Sequence, residues 1–299
     1  MRRGTYSIVA RDAATGELGV AVQSHWFSVG SVVSAARAEV GAIASQSIVE
    51  PAYRERILDR LEAGERPAGA LAALLEEDPV ARFRQVAVVD GAGEVAVHTG
   101  DGCIEHAGDA TGEGYSAQAN MMSSPDVWPA MAAAFEQSSG EPLALRLLAS
   151  LDAAEAAGGD VRGRQSAALL VVPPASRPWW RTVDLRVEDD PEPLAELRRL
   201  TTLHEAYALA SEADELVGEG RHEEAAAGYR RAAELAPGND ELFFWSGLAL
   251  AGDGDLRGGV AQVRRAIEIH PGWRDLLARL GPDVAPAAEA VRRELGISR

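Results

Sequence analysis

From Thr5 onward the chain alternates apolar and polar side chains. In TYSIVARD, Ile8 and Ala10 fall on one face of an extended segment and Ser7 and Val9 on the other, which predicts a strand. AATGE supplies a turn, ELGVAVQS a second strand, and a hairpin is the natural connection. VGAIASQS, residues 40–47, predicts a third strand. The period then changes. AYRERILDRLEAG places Tyr53, Ile57, Leu58 and Leu61 on one helical stripe and ends at Gly64. PAGALAALLEED opens on Pro67, which suits a first helical turn. RQVAVVD and EVAVHTG flank Gly91–Gly93 and predict a second hairpin, and GYSAQANM a further strand. Residues 125–138 and 141–157 carry helical periodicity. SAALLVV, 166–172, is apolar throughout, as in a strand covered on both faces. After the Pro-rich PPASRPWW loop, TVDLRVEDD predicts the last strand.

Strands in hairpins separated by paired helices predict an α+β fold, with antiparallel sheets and helices segregated in layers, in place of a doubly wound parallel sheet. Beyond residue 190 no strand pattern remains. YRRAAELAPG (229–238) matches VRRAIEIHPG (263–272) at a shift of thirty-four residues, the period of a tetratricopeptide repeat. Small Ala225 and Ala232 permit close helix packing, Tyr229 fills a neighbouring groove, and Pro237 ends the second helix. In the second copy Gly259 and Val263 take the alanine and aromatic positions, and 274–299 reads as an end helix. Two domains are expected, 1–200 and 201–299.

Composition narrows the chemistry. The 299 residues carry a net charge of −17, which disfavours nucleic acid as a partner. No apolar run is long enough to cross a bilayer, and Arg2-Arg3 lead into a strand with no signal-peptide core, so a cytoplasmic protein is expected. Cys103 is the only cysteine and reads as a small buried residue. All 29 basic residues are arginine, which removes Schiff-base chemistry and lysine proton relays. The six histidines show no paired ligand spacing, so neither a metal nor another cofactor is expected.

Four stretches, TYSIVARDAATGELGVAVQS, RQVAVVDGAGEVAVHTG, GGDVRGRQSAALLVV and VDLRVEDDPEPLAELRRL, resemble the bacterial and archaeal DUF1028 family. The resemblance spans residues 4 to about 200. It implies a four-layer αββα sandwich similar to N-terminal-nucleophile (Ntn) hydrolases, followed here by an all-α tetratricopeptide-like domain. It implies no substrate. The family pattern has asparagine where this chain has Glu50 and glycine where it has Ala119; EHAGD (105–109) and LRVEDD also depart from it.

Ntn hydrolases use the side chain of their first residue as nucleophile. Cleavage at Gly4-Thr5 would give Thr5 a free α-amino group, pKa about 7.7–8.0, able to take the hydroxyl proton. Gly4, lacking a Cβ, suits that step. The plainer reading of Thr5 is a strand start. Asn120 could donate its amide to an oxyanion or satisfy a turn. Ser24 and His25 could orient Thr5 or serve structure alone. Asp160, Arg162, Arg164 and Gln165 form a dense polar cluster. If the segment is extended, Arg162 and Arg164 share a side and could bind a substrate carboxylate, or else form salt bridges with Asp184 and Asp189. Arg11 and Asp12 could pair near the site or lie in a solvated turn. Two functions follow: an amide hydrolase acting on a small amide or peptide, or a non-catalytic scaffold whose helical repeats hold a peptide or protein. A homo-oligomer remains open.

Overall fold

A computed structural model describes residues 4–175 and 181–298; the end of the Pro-rich loop and the residues ahead of Gly4 lie outside them. The chain divides into two compact units, Met1–Thr201 and Thr202–Arg299.

The first unit opens with β1 (Thr5–Arg11) and β2 (Leu18–Ser24), the expected hairpin. A short helix α1 (Gly30–Val33) and β3 (Ser34–Arg37) precede β4 (Gly41–Ser47). Helices α2 (Ala52–Glu62) and α3 (Pro67–Glu77) follow, then β5 (Arg84–Asp90) and β6 (Val95–Thr99). Next come β7 (Gly108–Gly112), β8 (Tyr115–Asn120), α4 (Val127–Gln137), α5 (Leu143–Ala156), β9 (Ser166–Val172) and β10 (Val183–Val187). The sequence pattern predicts no strand at β3 or β7, whose SAAR and GDATG lack apolar alternation. Both are held by hydrogen bonding to β4 and β8.

One sheet has the order β10-β9-β2-β1-β8-β7 and the other β3-β4-β5-β6, with antiparallel pairing throughout. Strand alternation assigns each sheet two faces. Tyr6, Ile8 and Ala10 of β1 pack with Met131 and Phe135 of α4 and Leu147 and Leu151 of α5. Ile43, Val86 and Val88 of the smaller sheet pack with Ile57 and Leu61 of α2 and Leu71 and Leu74 of α3. The remaining faces meet: Val9, Val20 and Val22 pack with Ala42, Ala44, Ala87 and Val89. Each large apolar side chain withdrawn from water contributes about 1.5–3 kcal/mol. Both faces of β9 are covered, Ala167, Leu169 and Val171 packing toward α4 and α5 and Ala168, Leu170 and Val172 toward the second sheet, which explains its apolar run although the sheet is antiparallel.

Helix α6 (Pro193–Gly218) carries the chain across the boundary between the units. The second unit continues with α7 (His222–Leu235), α8 (Asp240–Gly252), α9 (Leu256–Ile269), α10 (Gly272–Arg279) and α11 (Ala288–Leu295). Both ends of α7 recur in α9 at the thirty-four-residue shift. Ala225, Ala232 and Tyr229 are buried, as are their counterparts Gly259, Val263 and Ala266. α8 and α9 approach so closely that a Cβ on Gly259 would lie 2.4 Å from the carbonyl oxygen of Gly247. The single end helix expected over 274–299 is instead two helices, α10 and α11, on either side of Gly281-Pro282. Buried Arg292 of α11 donates to the carbonyls of Leu277 and Leu280 at the end of α10.

Candidate active site

Toward one end of the first unit the inward-facing positions turn polar. Along β1 the inner face reads Val9, Ser7, Thr5; along β4, Ala44 then Gln46; along β5, Ala87 then Gln85. Thr5 sits on a central strand of the larger sheet, paired with Ser24 of β2 on one side and Asn120 of β8 on the other, so the three side chains share the inner face.

The Gly4 carbonyl is the focus of this end. Its oxygen accepts from the Thr5 hydroxyl at 2.7 Å, the Ser24 hydroxyl at 2.5 Å and Arg162 Nη2 at 2.7 Å. Thr5 Oγ1 also lies 3.1 Å from Ser24 Oγ. Asp160 fixes the arginine. Its carboxylate, with no solvent exposure of the side chain, accepts from Arg162 Nε at 3.1 Å and Nη2 at 2.7 Å. It also accepts from the backbone N–H of Arg162 and of His25. This paired, multiply bonded carboxylate is the form in which a buried charge is tolerated.

Beneath Thr5 lies an amide layer that sequence reading missed. Gln46 Nε2 donates to the Thr5 carbonyl at 3.2 Å and to Gln85 Oε1 at 2.8 Å, while Gln46 Oε1 accepts from Ser7. Asn120 Nδ2 donates to Gln85 Oε1 at 3.0 Å and to the Thr5 carbonyl at 3.4 Å. Gln85 Nε2 bonds Thr99 Oγ1 and the carbonyls of Gly108 and Ala119. The signal was present in the sequence: Gln46 and Gln85 occupy core-facing positions of strands whose other inward residues are alanine and valine. Two non-glycine residues with positive φ, Ser47 (70°) and Met121 (60°), directly follow Gln46 and Asn120. Such conformations cost about 1–3 kcal/mol each and gather where surrounding structure enforces a geometry.

Thr5, Ser24, Asn120, Asp160 and Arg162 thus come together. The other sequence candidates do not join them. Arg162 and Arg164 diverge because the segment turns at Gly163, φ 98°, and is not extended. Arg164 pairs with Glu155 and Glu192, and Gln165 donates to Asp189. Asp184 pairs with Arg186. His25 is exposed, its Nδ1 3.2 Å from the Arg164 carbonyl, and it reaches the cluster through its backbone N–H. Asp12 pairs with Arg146 and not with Arg11. Cys103 is half-buried, its Sγ 3.5 Å from the Arg84 carbonyl. Among the described residues, no group of three or more His, Cys, Asp or Glu side chains is placed to hold a metal, and no helix is long and apolar enough to cross a membrane.

The profile of a family of unknown function, DUF1028, matches residues 5–197. The chain belongs to the DUF1028 family. The crystal structure of a DUF1028 protein from Silicibacter pomeroyi is similar to it at 33% sequence identity and a TM-score of 0.61, covering 66% of this chain and 88% of that one. No curated protein matches the chain. Every residue converging on Gly4, apart from Gly4 itself, lies within the DUF1028 match.

Proposed function

We propose that this DUF1028 protein is an amide hydrolase of the N-terminal-nucleophile type that first cleaves its own Gly4-Thr5 bond. The observation carrying the reading is the environment of the Gly4 carbonyl: a hydroxyl nucleophile on the next residue, with two further donors on the oxygen. Attack by Thr5 Oγ on the Gly4 carbon drives negative charge onto that oxygen, where Arg162 and the Ser24 hydroxyl stabilise it. The hydroxyl proton passes to the Thr5 nitrogen as the C–N bond breaks, leaving Gly4 esterified to Thr5 and the α-amine free. Water then hydrolyses the ester and releases the residues ahead of Thr5.

The freed amine is the base for later turnovers, and a substrate carbonyl takes the place that Gly4 vacates between Ser24 and Arg162. This reassigns the oxyanion role. The Asn120 amide is committed to the Thr5 carbonyl and Gln85, so it orients the nucleophile's backbone, while Arg162 and Ser24 donate to the reacting oxygen. Asp160 is the positioning residue for Arg162. Packing of the two sheets between helix pairs supports the αββα Ntn reading. The substrate class is a small amide or peptide.

A β-lactone, which acylates an N-terminal threonine hydroxyl, tests the site. The reading predicts a single adduct mapping to Thr5 and none in Thr5→Ala. Absence of an adduct on protein that has already lost residues 1–4 would contradict it. A second role is favoured by the recurrence of α7 in α9: we read the second unit as tetratricopeptide-like repeats that hold a peptide or protein partner.

A further inference from the structure

A second cluster of charge lies in the first unit, outside the Gly4-Thr5 site. At the edge of the larger sheet, α1, α2 and strands β9 and β10 enclose a cavity of about 100 Å³. A Cβ on Gly30 would lie 2.4 Å from the Ala168 Cβ and 3.4 Å from Arg186 Cδ. Two guanidinium groups, Arg54 from α2 and Arg186 from β10, line the cavity together with the Asp184 carboxylate.

Arg54 is half-buried and has no carboxylate partner among the described residues. Its Nε donates to the Pro51 carbonyl at 3.2 Å, and its Nη1 to the carbonyls of Ser31 (3.0 Å) and Ser34 (3.1 Å). These bonds fix the plane of the group and leave Nη2 without a partner among the described residues. Arg186 is held by Asp184, which accepts from its Nε and Nη2 at 3.2 and 3.1 Å and leaves Nη1 uncommitted. Burial pushes the Arg54 guanidinium below its ordinary value; the charge of Glu55 acts against this, and the smaller effect of Arg186 adds to it. A half-buried guanidinium with no paired carboxylate among the described residues thus lines the same cavity as one whose charge Asp184 balances. An anion in the cavity could accept from the free N–H groups of both, in charge-assisted hydrogen bonds of the kind arginine makes to oxygen anions.

We propose that Arg54 and Arg186 bind a small oxoanion, a phosphate or carboxylate group, in this cavity. The volume admits one such group, so a larger ligand would place only its anionic end there. The site is independent of cleavage at Thr5.

Calorimetric titration of the full chain with sodium phosphate and, separately, sodium acetate at constant low ionic strength tests the proposal. Saturable one-site binding of at least one anion is expected, and the salt that binds identifies the group. Arg186→Gln should weaken it at least about tenfold, and Arg54→Gln should abolish it. Arg54 braces three backbone carbonyls, so Arg186→Gln, whose side chain is half exposed, is the variant least prone to misfold. Thermal scans should show the bound anion raising the melting temperature of the wild type and of Arg231→Gln, an exposed change in the second unit, but not of Arg186→Gln. Absence of saturable binding by both anions, or wild-type affinity in Arg54→Gln and Arg186→Gln, would overturn the proposal.

Discussion

The carboxylate of Asp160 lies against the Cα of Gly4, so that a Cβ at position 4 would stand 2.8 Å from Oδ2 and 2.9 Å from Cγ and Oδ1. This contact ties the residue ahead of the nucleophile to the group that aims Arg162. Gly4→Ala must displace either the Asp160–Arg162 pair or the Gly4 carbonyl. Because small misplacements of reacting groups cost about 10²-fold in rate, release of residues 1–4 should slow by about that factor in this variant. Time-resolved intact mass checks it.

Ser24 and Arg162 should be separable from the nucleophile. Removing one donor to a developing oxyanion costs about 10²–10³-fold, so Ser24→Ala and Arg162→Gln should each slow cleavage by that order with the fold intact. Asp160→Asn should slow it as well, because it weakens the bidentate hold on Arg162. Cleavage rates by mass spectrometry, with circular dichroism for fold, provide the check.

Gln85 should matter for stability before chemistry. Its amide bonds two side-chain amides, one hydroxyl and two backbone carbonyls, all between the sheets. Gln85→Ala leaves several buried polar groups unsatisfied, and a loss of about 3 kcal/mol in denaturant unfolding of the first unit is expected.

A buried ion pair sets an acid limit on the same unit. Arg84 Nε donates to Asp78 Oδ2 at 2.7 Å, and both side chains are buried. Burial pushes the Asp78 carboxyl up, but bonds from Arg84, the Val80 N–H and Tyr53 outweigh it and hold the group below its ordinary value. A depressed carboxyl contributes stability above its unfolded pKa, about 3.9, and loses it as pH falls through the folded value. Asp78→Asn should therefore cost about 3 kcal/mol between pH 5 and 8, and the gap to wild type should close below about pH 3.9. Urea midpoints across pH measure this.

In the second unit, Gly259→Ala places a methyl group against the Gly247 carbonyl and should destabilise the helices by about 1–3 kcal/mol. Leader release should be unchanged. Thermal unfolding followed by helical ellipticity reads the first effect and intact mass the second.

β1, β2 and β5 were legible in the sequence as short, largely apolar runs bounded by turn signals, the mark of strands buried on both faces. β3 and β7 were not, since their short segments carry only small apolar residues and are paired by hydrogen bonding to β4 and β8. Thr5, Ser24 and Asn120 were legible as candidates because each sits at a strand end. What was not legible is where a loop aims its side chains. Arg162 and Arg164 are two residues apart, yet the positive φ of Gly163 sends one to the Gly4 carbonyl and the other to Glu155 and Glu192. Nor did local pattern show that Gln46 and Gln85, 39 residues apart in the chain, would meet beneath Thr5.

Intact mass of the full chain, expressed and incubated beside Thr5→Ala, is the decisive measurement. Self-cleavage at Gly4-Thr5 predicts a wild-type mass lower by residues Met1–Gly4, with Thr5→Ala retaining them under the same conditions. A wild-type chain that keeps those residues after prolonged incubation, or a Thr5→Ala chain that loses them equally fast, would contradict it.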